Sequence, residues 1–134
     1  MITTLLDLYN EAEDKYIDVD YFPTRSLVSF STAENLIAID VDKLESTREE
    51  KVCLAHEMGH CITGSFYNIY SKFDIRQKHE NRADRWAIKR LVPLEQLIEA
   101  VKTGITETWD LAEYFEVTEQ FITKAIEYYK DIIN

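Results

Sequence analysis

The apolar positions change their period several times along the chain, and each change marks an element. From Thr3 to Tyr16, Leu5, Leu6, Leu8, Tyr9, Ala12 and Tyr16 recur at spacings of three and four with acidic residues between them. That stripe predicts an amphipathic helix whose role is packing. The pattern breaks from Asp18 to Pro23, where the proline biases Phe22 toward an extended backbone. Ser26 to Phe30, with Leu27 and Val28 among small residues, and Leu36 to Val41, apolar and β-branched, both read as short strands. The turn-forming residues Ser31 to Asn35 join them into an antiparallel hairpin.

Helical signals follow. Ser46 and Glu49 form an S-x-x-E capping box, with Thr47 and Glu50 as a second register, so a helix starts before Val52 and runs to Ile62 or Thr63, where Gly64 stops it. Ser65 to Gln77 is aromatic and polar without a clean period, and reads as a loop or a short helical turn. Helical spacing returns from Lys78 to Leu91 through Ala83, Trp86, Ala87, Ile88 and Leu91, before Pro93. Pro93 to Lys102 is a short helix ended by Thr103-Gly104, and Thr106 to Phe115 and Thr118 to Ile132 are two more, joined near Glu116-Val117. The prediction is a mostly helical α+β chain with one small antiparallel hairpin beside the helix at 47–63.

That helix carries His56-Glu57-Met58-Gly59-His60 in its second half. Residues four apart share a helix face, so the imidazoles of His56 and His60 can converge on one metal ion. Glu57 projects beside that stripe, placed to move a proton without itself being a ligand. This is the geometry of the H-E-x-x-H zinc hydrolases. A catalytic zinc takes three protein ligands, so a third must come from elsewhere. The metzincin pattern places it six residues after the second histidine with a glycine between, and Thr63 and Phe66 stand at those positions. The remaining source is the helix from Lys78 to Leu91, which offers Glu80, with His79 as a competitor. Asp84, one turn beyond Glu80, could accept the free ring N–H of a ligand histidine. On their own these acids would be solvated positions on a charged helix with Arg82 and Arg85; the motif upstream gives them a purpose.

Composition narrows the partners. At 134 residues and 46% hydrophobic, the chain has the size and apolar content of a single domain. The expected organisation is a catalytic core over 1–104 and a C-terminal helical pair over 105–134 packed on it. A net charge of −10 opposes any role that coats nucleic-acid phosphates. No leader-like or membrane-spanning run occurs, so the cytoplasm is expected. Cys53 and Cys61, about 12 Å apart along a helix axis at 1.5 Å per residue, are too far apart for a disulfide and read as reduced core residues, with metal ligation as the lesser alternative.

The blocks His56 to His60, Glu80-Asn81-Arg82-Ala83-Asp84 and Trp86 to Pro93, preceded by a hairpin, resemble the ImmA/IrrE metallopeptidases of bacteria, phages and mobile elements. Leu111 to Thr118 also resembles that family's C-terminal segment. Three departures are visible: Val92-Pro93 for a Leu/Met-Pro pair, Arg82 where a second Glu is common, and Glu116 where Gly is common. The resemblance implies a minimal zincin-like fold and a cytoplasmic zinc-dependent protease. Its substrate would be a protein, a helix-turn-helix repressor encoded beside it, with no direct contact to nucleic acid or membrane. Zn2+ would be held by His56, His60 and Glu80, and Glu57 would be the general base. A donor to the developing oxyanion is also expected, and Tyr67, Tyr70, His79 and Arg82 are candidates by their nearness in sequence, with none of them preferred.

Two rivals remain at this level. Leu111 to Ile126 has the look of a DNA-binding helix-turn-helix, with Ala112 and Val117 at suitable positions, but Glu119 and Glu127 face Lys124 and Lys130 in an acidic chain. A non-catalytic zinc-binding interaction module, antagonising a repressor by binding alone, is the other.

Overall fold

The computed structural model describes residues 1–24, 27–68 and 70–133. Helix α1 spans Leu5–Asp14 and opens on a reciprocal cap, in which Thr4 accepts from the Asp7 N–H and Asp7 accepts from the Thr4 N–H. Strands β1 (Asp18–Tyr21), β2 (Ser29–Ser31) and β3 (Leu36–Ile39) follow, then a 3-10 turn at Val41–Lys43 and five helices. These are α2 (Thr47–Thr63), α3 (Phe73–Leu91), α4 (Leu94–Lys102), α5 (Thr108–Phe115) and α6 (Glu119–Ile133).

The expected hairpin is present, with Ser29 opposite Ile39 and Ser31 opposite Ile37, but it is only part of the sheet. Its first strand begins at Ser29; Ser26, where the reading began, lies outside the described residues. The segment read as a break in pattern holds β1, which pairs in parallel with β3 so that the order is β1-β3-β2. A purely antiparallel sheet is therefore corrected to a mixed one. The reason is physical: Asp18-Val19-Asp20-Tyr21 is largely exposed, so β1 is held by backbone pairing to the buried Ile37, Ala38 and Ile39 rather than by an apolar face. Val41 leaves the strand because Asp40 accepts from the Asp42 N–H at 3.2 Å and caps the 3-10 turn.

Helix α2 has the predicted bounds. Ser46 Oγ accepts from the Glu49 N–H at 3.2 Å, while the Glu49 carboxylate turns to the Glu45 N–H at 3.3 Å, so the box is made on one side only. Gly64 ends the helix at φ 67°, the left-handed conformation glycine adopts most cheaply. Helix α3 starts at Phe73, five residues before the period becomes readable, because its first turn is solvated and Phe73 and Ile75 are exposed.

Helices α2 and α3 lie very close at Gly59. A Cβ there would sit 2.6 Å from the Ala83 carbonyl oxygen and 3.0 Å from its Cα. The C-terminal pair joins the same core: Leu111, Phe115, Val117 and Ile122 are buried in one cluster with Leu54, Met58 and Leu91. Two polar ties reinforce this, Tyr129 to the Val92 carbonyl and the buried Lys51 to the Phe115 carbonyl, both at 2.7 Å. Among the described residues no helix is long and apolar enough to cross a membrane.

Candidate metal centre

The close approach at Gly59 brings a face of α3 onto the motif face of α2. His56 and His60 stand with ring centroids 4.8 Å apart and planes at 86°, their Nε2 atoms separated by 3.2 Å. Oε2 of Glu80 is 2.7 Å from His56 Nε2 and 3.4 Å from His60 Nε2. Donor atoms on bonds of about 2.1 Å around a tetrahedral ion sit about 3.4 Å apart, so the cluster has the right scale for one metal. Among the described residues, His56, His60 and Glu80 form the group whose ligand atoms lie within 4.8 Å of one another. His79 stays out of it; its ring stacks on Tyr67 with centroids 6.5 Å apart.

The outer nitrogens decide how the cluster is used. His56 Nδ1 lies 2.8 Å from Asp84 Oδ1, and His60 Nδ1 lies 2.5 Å from the Ser65 carbonyl oxygen. A ring whose Nδ1–H is given to an oxygen presents Nε2 as a lone pair. Two such lone pairs facing each other at 3.2 Å repel unless a positive charge lies between them. The donor set, two imidazole nitrogens and a carboxylate oxygen, fits a divalent cation. Burial by itself would lower the His56 pKa, yet the hydrogen bonds to Asp84 and Glu80 and the nearby Asp84 and Glu57 charges push it up to about 10. Burial would likewise raise Glu80, but bonds from His56, His60 and Tyr67 hold it well below the usual carboxylate range.

Glu57 is buried and faces the hairpin. Its Oε1 accepts from Ser31 Oγ at 2.7 Å and its Oε2 from Ser29 Oγ at 2.8 Å. The serines are two apart on β2 and so project from the same face of the strand. A cavity of about 250 Å³ opens between β2 and the helices, lined by Ser29, Ser31, Glu57, His60, Tyr67 and Glu80 among others. Tyr67 donates to Glu80 Oε1 at 2.5 Å, and that bond together with burial pushes its hydroxyl up to about 12. Tyr70, His79 and Arg82, the other oxyanion donors considered, do not line the cavity. Cys53 and Cys61 are free and outside the cluster, each thiol raised to about 11 by burial and neighbouring carboxylates.

Ser29, Ser31 and Ser65 were not singled out by sequence reasoning. Serines alternating around Phe30 just before an H-E-x-x-H helix are a usable signal for the first two. Ser65 carries none, because it contributes a backbone carbonyl that the Gly64 turn aims at His60.

A small α+β domain in which one helix supplies two histidines and the next a glutamate, around a cavity shared with a further buried glutamate, has the build of a metallopeptidase domain. Residues 5–127 match the family model of the IrrE N-terminal-like domain, and the chain belongs to that peptidase family, the ImmA/IrrE group. A search of curated proteins gave no match.

Proposed function

We propose that the domain is a zinc-dependent endopeptidase acting in the cytoplasm on a protein, a helix-turn-helix repressor of a phage or mobile element. The observation that carries the proteolytic reading is that Glu57, His60 and Glu80 line one cavity while His56, His60 and Glu80 converge behind it. Those three would hold the zinc, which when bound supplies Lewis acidity to a water molecule and to the scissile carbonyl. Glu57 takes the proton from the attacking water and returns it to the leaving amine. Ser29 and Ser31 keep its carboxylate aimed along the cavity, and Tyr67, released from Glu80, donates to the oxygen on which charge develops. Strand β2 lies at one edge of the sheet, and among the described residues its outer side has no strand partner, so an extended peptide can add there. The repressor as substrate rests on the family resemblance.

Glu57→Gln tests the reading. The variant should bind zinc like the parent and cleave the repressor encoded beside the gene about 10²–10⁴-fold more slowly, read by mass spectrometry of the products. Undiminished cleavage would overturn the assignment. One observation favours a second reading, binding without cutting: both Glu57 oxygens accept serine hydroxyls, which gives this carboxylate a structural use. Repressor antagonism that survives Glu57→Gln selects that reading. Direct DNA binding is not expected at a net charge of −10, and a gel shift at low salt would reveal it.

A further inference from the structure

The C-terminal helix α6 reaches toward the metal cluster through Lys124, which contacts Asp84. Asp84 Oδ1 bonds to His56 Nδ1 at 2.8 Å, and its other oxygen, Oδ2, accepts from Lys124 Nζ at 3.2 Å. Lys124 lies on α6, forty positions along the chain, and nothing in the family reading of the ligands calls for it. Arg85, Gln77, Asn81, Glu127 and Asp131 line the same groove between α3 and α6, and none of them is hydrogen-bonded to Asp84.

We propose that Lys124 is a positioning residue for the metal centre, acting through Asp84 on His56. The terminal torsion of an aspartate is broad, so a carboxylate held at one oxygen can swing. Held at both, it keeps Oδ1 on the imidazole and so keeps Nε2 pointed at Glu80 and His60. The C-terminal pair then contributes to ligand geometry as well as to the core. This inference rests on the reading of His56, His60 and Glu80 as a metal site.

An exposed ion pair with no further role is the competing account. Lys124 is about half exposed, and surface pairs of this kind commonly contribute little to stability. The two accounts differ in sign at the metal. As a bare positive charge, Lys124 repels a divalent cation, and its removal tightens binding. As the group that orients Asp84, its removal loosens binding.

The experiment is Zn2+ affinity of the full chain, measured by competition with a chromophoric chelator. It compares the parent with Lys124→Met, which keeps the aliphatic stem, Lys124→Arg, which keeps charge and donors, and Asp84→Asn as the reference. Loss of a group supporting a metal ligand weakens affinity about 10–100-fold, which is expected for Asp84→Asn, with Lys124→Met at about threefold to tenfold and Lys124→Arg close to the parent. The exposed position makes folding of both lysine variants checkable by circular dichroism alongside. Unchanged or tighter zinc binding by Lys124→Met overturns the inference while leaving the metal centre intact. A parent chain that binds no zinc overturns the metal centre itself, and the inference with it.

Discussion

Helices α2 and α6 enter the same core in different ways. Helix α6 buries Phe121, Ile122, Ala125 and Tyr129, a stripe of apolar and aromatic side chains at helical spacing in which only the Tyr129 hydroxyl needs a partner, the Val92 carbonyl. Helix α2 buries Leu54, Ala55, Met58 and Gly59 together with Lys51, Glu57 and His60. An apolar stripe needs only area and fit, whereas each buried polar group needs a particular partner. Those partners are specific here: the Phe115 carbonyl for Lys51, Ser29 and Ser31 for Glu57, and the Ser65 carbonyl for His60. The place where helical periodicity degrades is also the place where the chemistry sits.

If that contrast is right, stability and metal binding should come apart on mutation. The largest expected effect on folding is on α6: Ile122→Ala removes a fully buried side chain and should lower the unfolding free energy by about 2–5 kcal/mol. Zinc affinity of the folded protein should change little, because Lys124 keeps its place on the helix. Denaturant titration beside the chelator competition checks both halves. A collapse of zinc affinity with the fold intact would mean that α6 packing sets the ligand geometry directly, and the contrast would fail.

The same contrast explains what could be read from the sequence. Caps are local, so Ser46 and Gly64 mark the ends of α2, and the four-residue spacing of the histidines places them on one face. The C-terminal helices are legible because their apolar stripes are clean. Strand β1 is not, since its pairing with β3 spans the whole β2 excursion and its side chains are mostly exposed. The first turn of α3 escapes for a related reason, having no buried face. At the site, the sequence favours Glu80 and leaves His79 as a competitor; in the structure the packing of α3 on α2 brings Glu80 to the histidines while His79 stacks on Tyr67. Which face of β2 meets Glu57 is likewise settled by tertiary contact.

A smaller effect on folding, with a larger one on metal, is expected at Gly59. In an isolated helix Gly→Ala stabilises by about 1 kcal/mol. Here the added methyl would meet the Ala83 backbone at 2.6 Å, and a backbone contact cannot rotate away. Overpacking of this kind costs about 1–3 kcal/mol, so the net effect on stability is modest and destabilising. The helices can only relax by separating, which draws Glu80 away from His56 and His60. Gly59→Ala should therefore lose zinc affinity out of proportion to its loss of stability, the reverse of Ile122→Ala. Equal zinc binding in the two proteins would show that the close approach does not set the site.

The smallest effect lies where the two regions meet. Lys51 of α2 donates to the carbonyl that ends α5, and it is almost fully buried. Burial lowers its pKa to about 8, with Arg48 and Arg90 adding to the shift and Glu116 and Asp7 opposing it. The unfolded chain keeps this proton until near the ordinary value of 10.5, so between about pH 8 and 10.5 the unfolded state binds more protons than the folded one. Stability contributed by this group should then rise with pH across that window and be absent below it. Other groups titrate there in the opposite sense: the Cys53 and Cys61 thiols, raised to about 11 by burial, and His56 lose stability as pH climbs. The measurement is accordingly the difference between parent and Lys51→Met, by denaturant unfolding at pH 7.5, 8.5 and 9.5. The parent should gain on the variant at each step. A flat difference would mean that Lys51 keeps its charge in the folded state, and that the Phe115 carbonyl compensates its burial as fully as Ser29 and Ser31 satisfy Glu57.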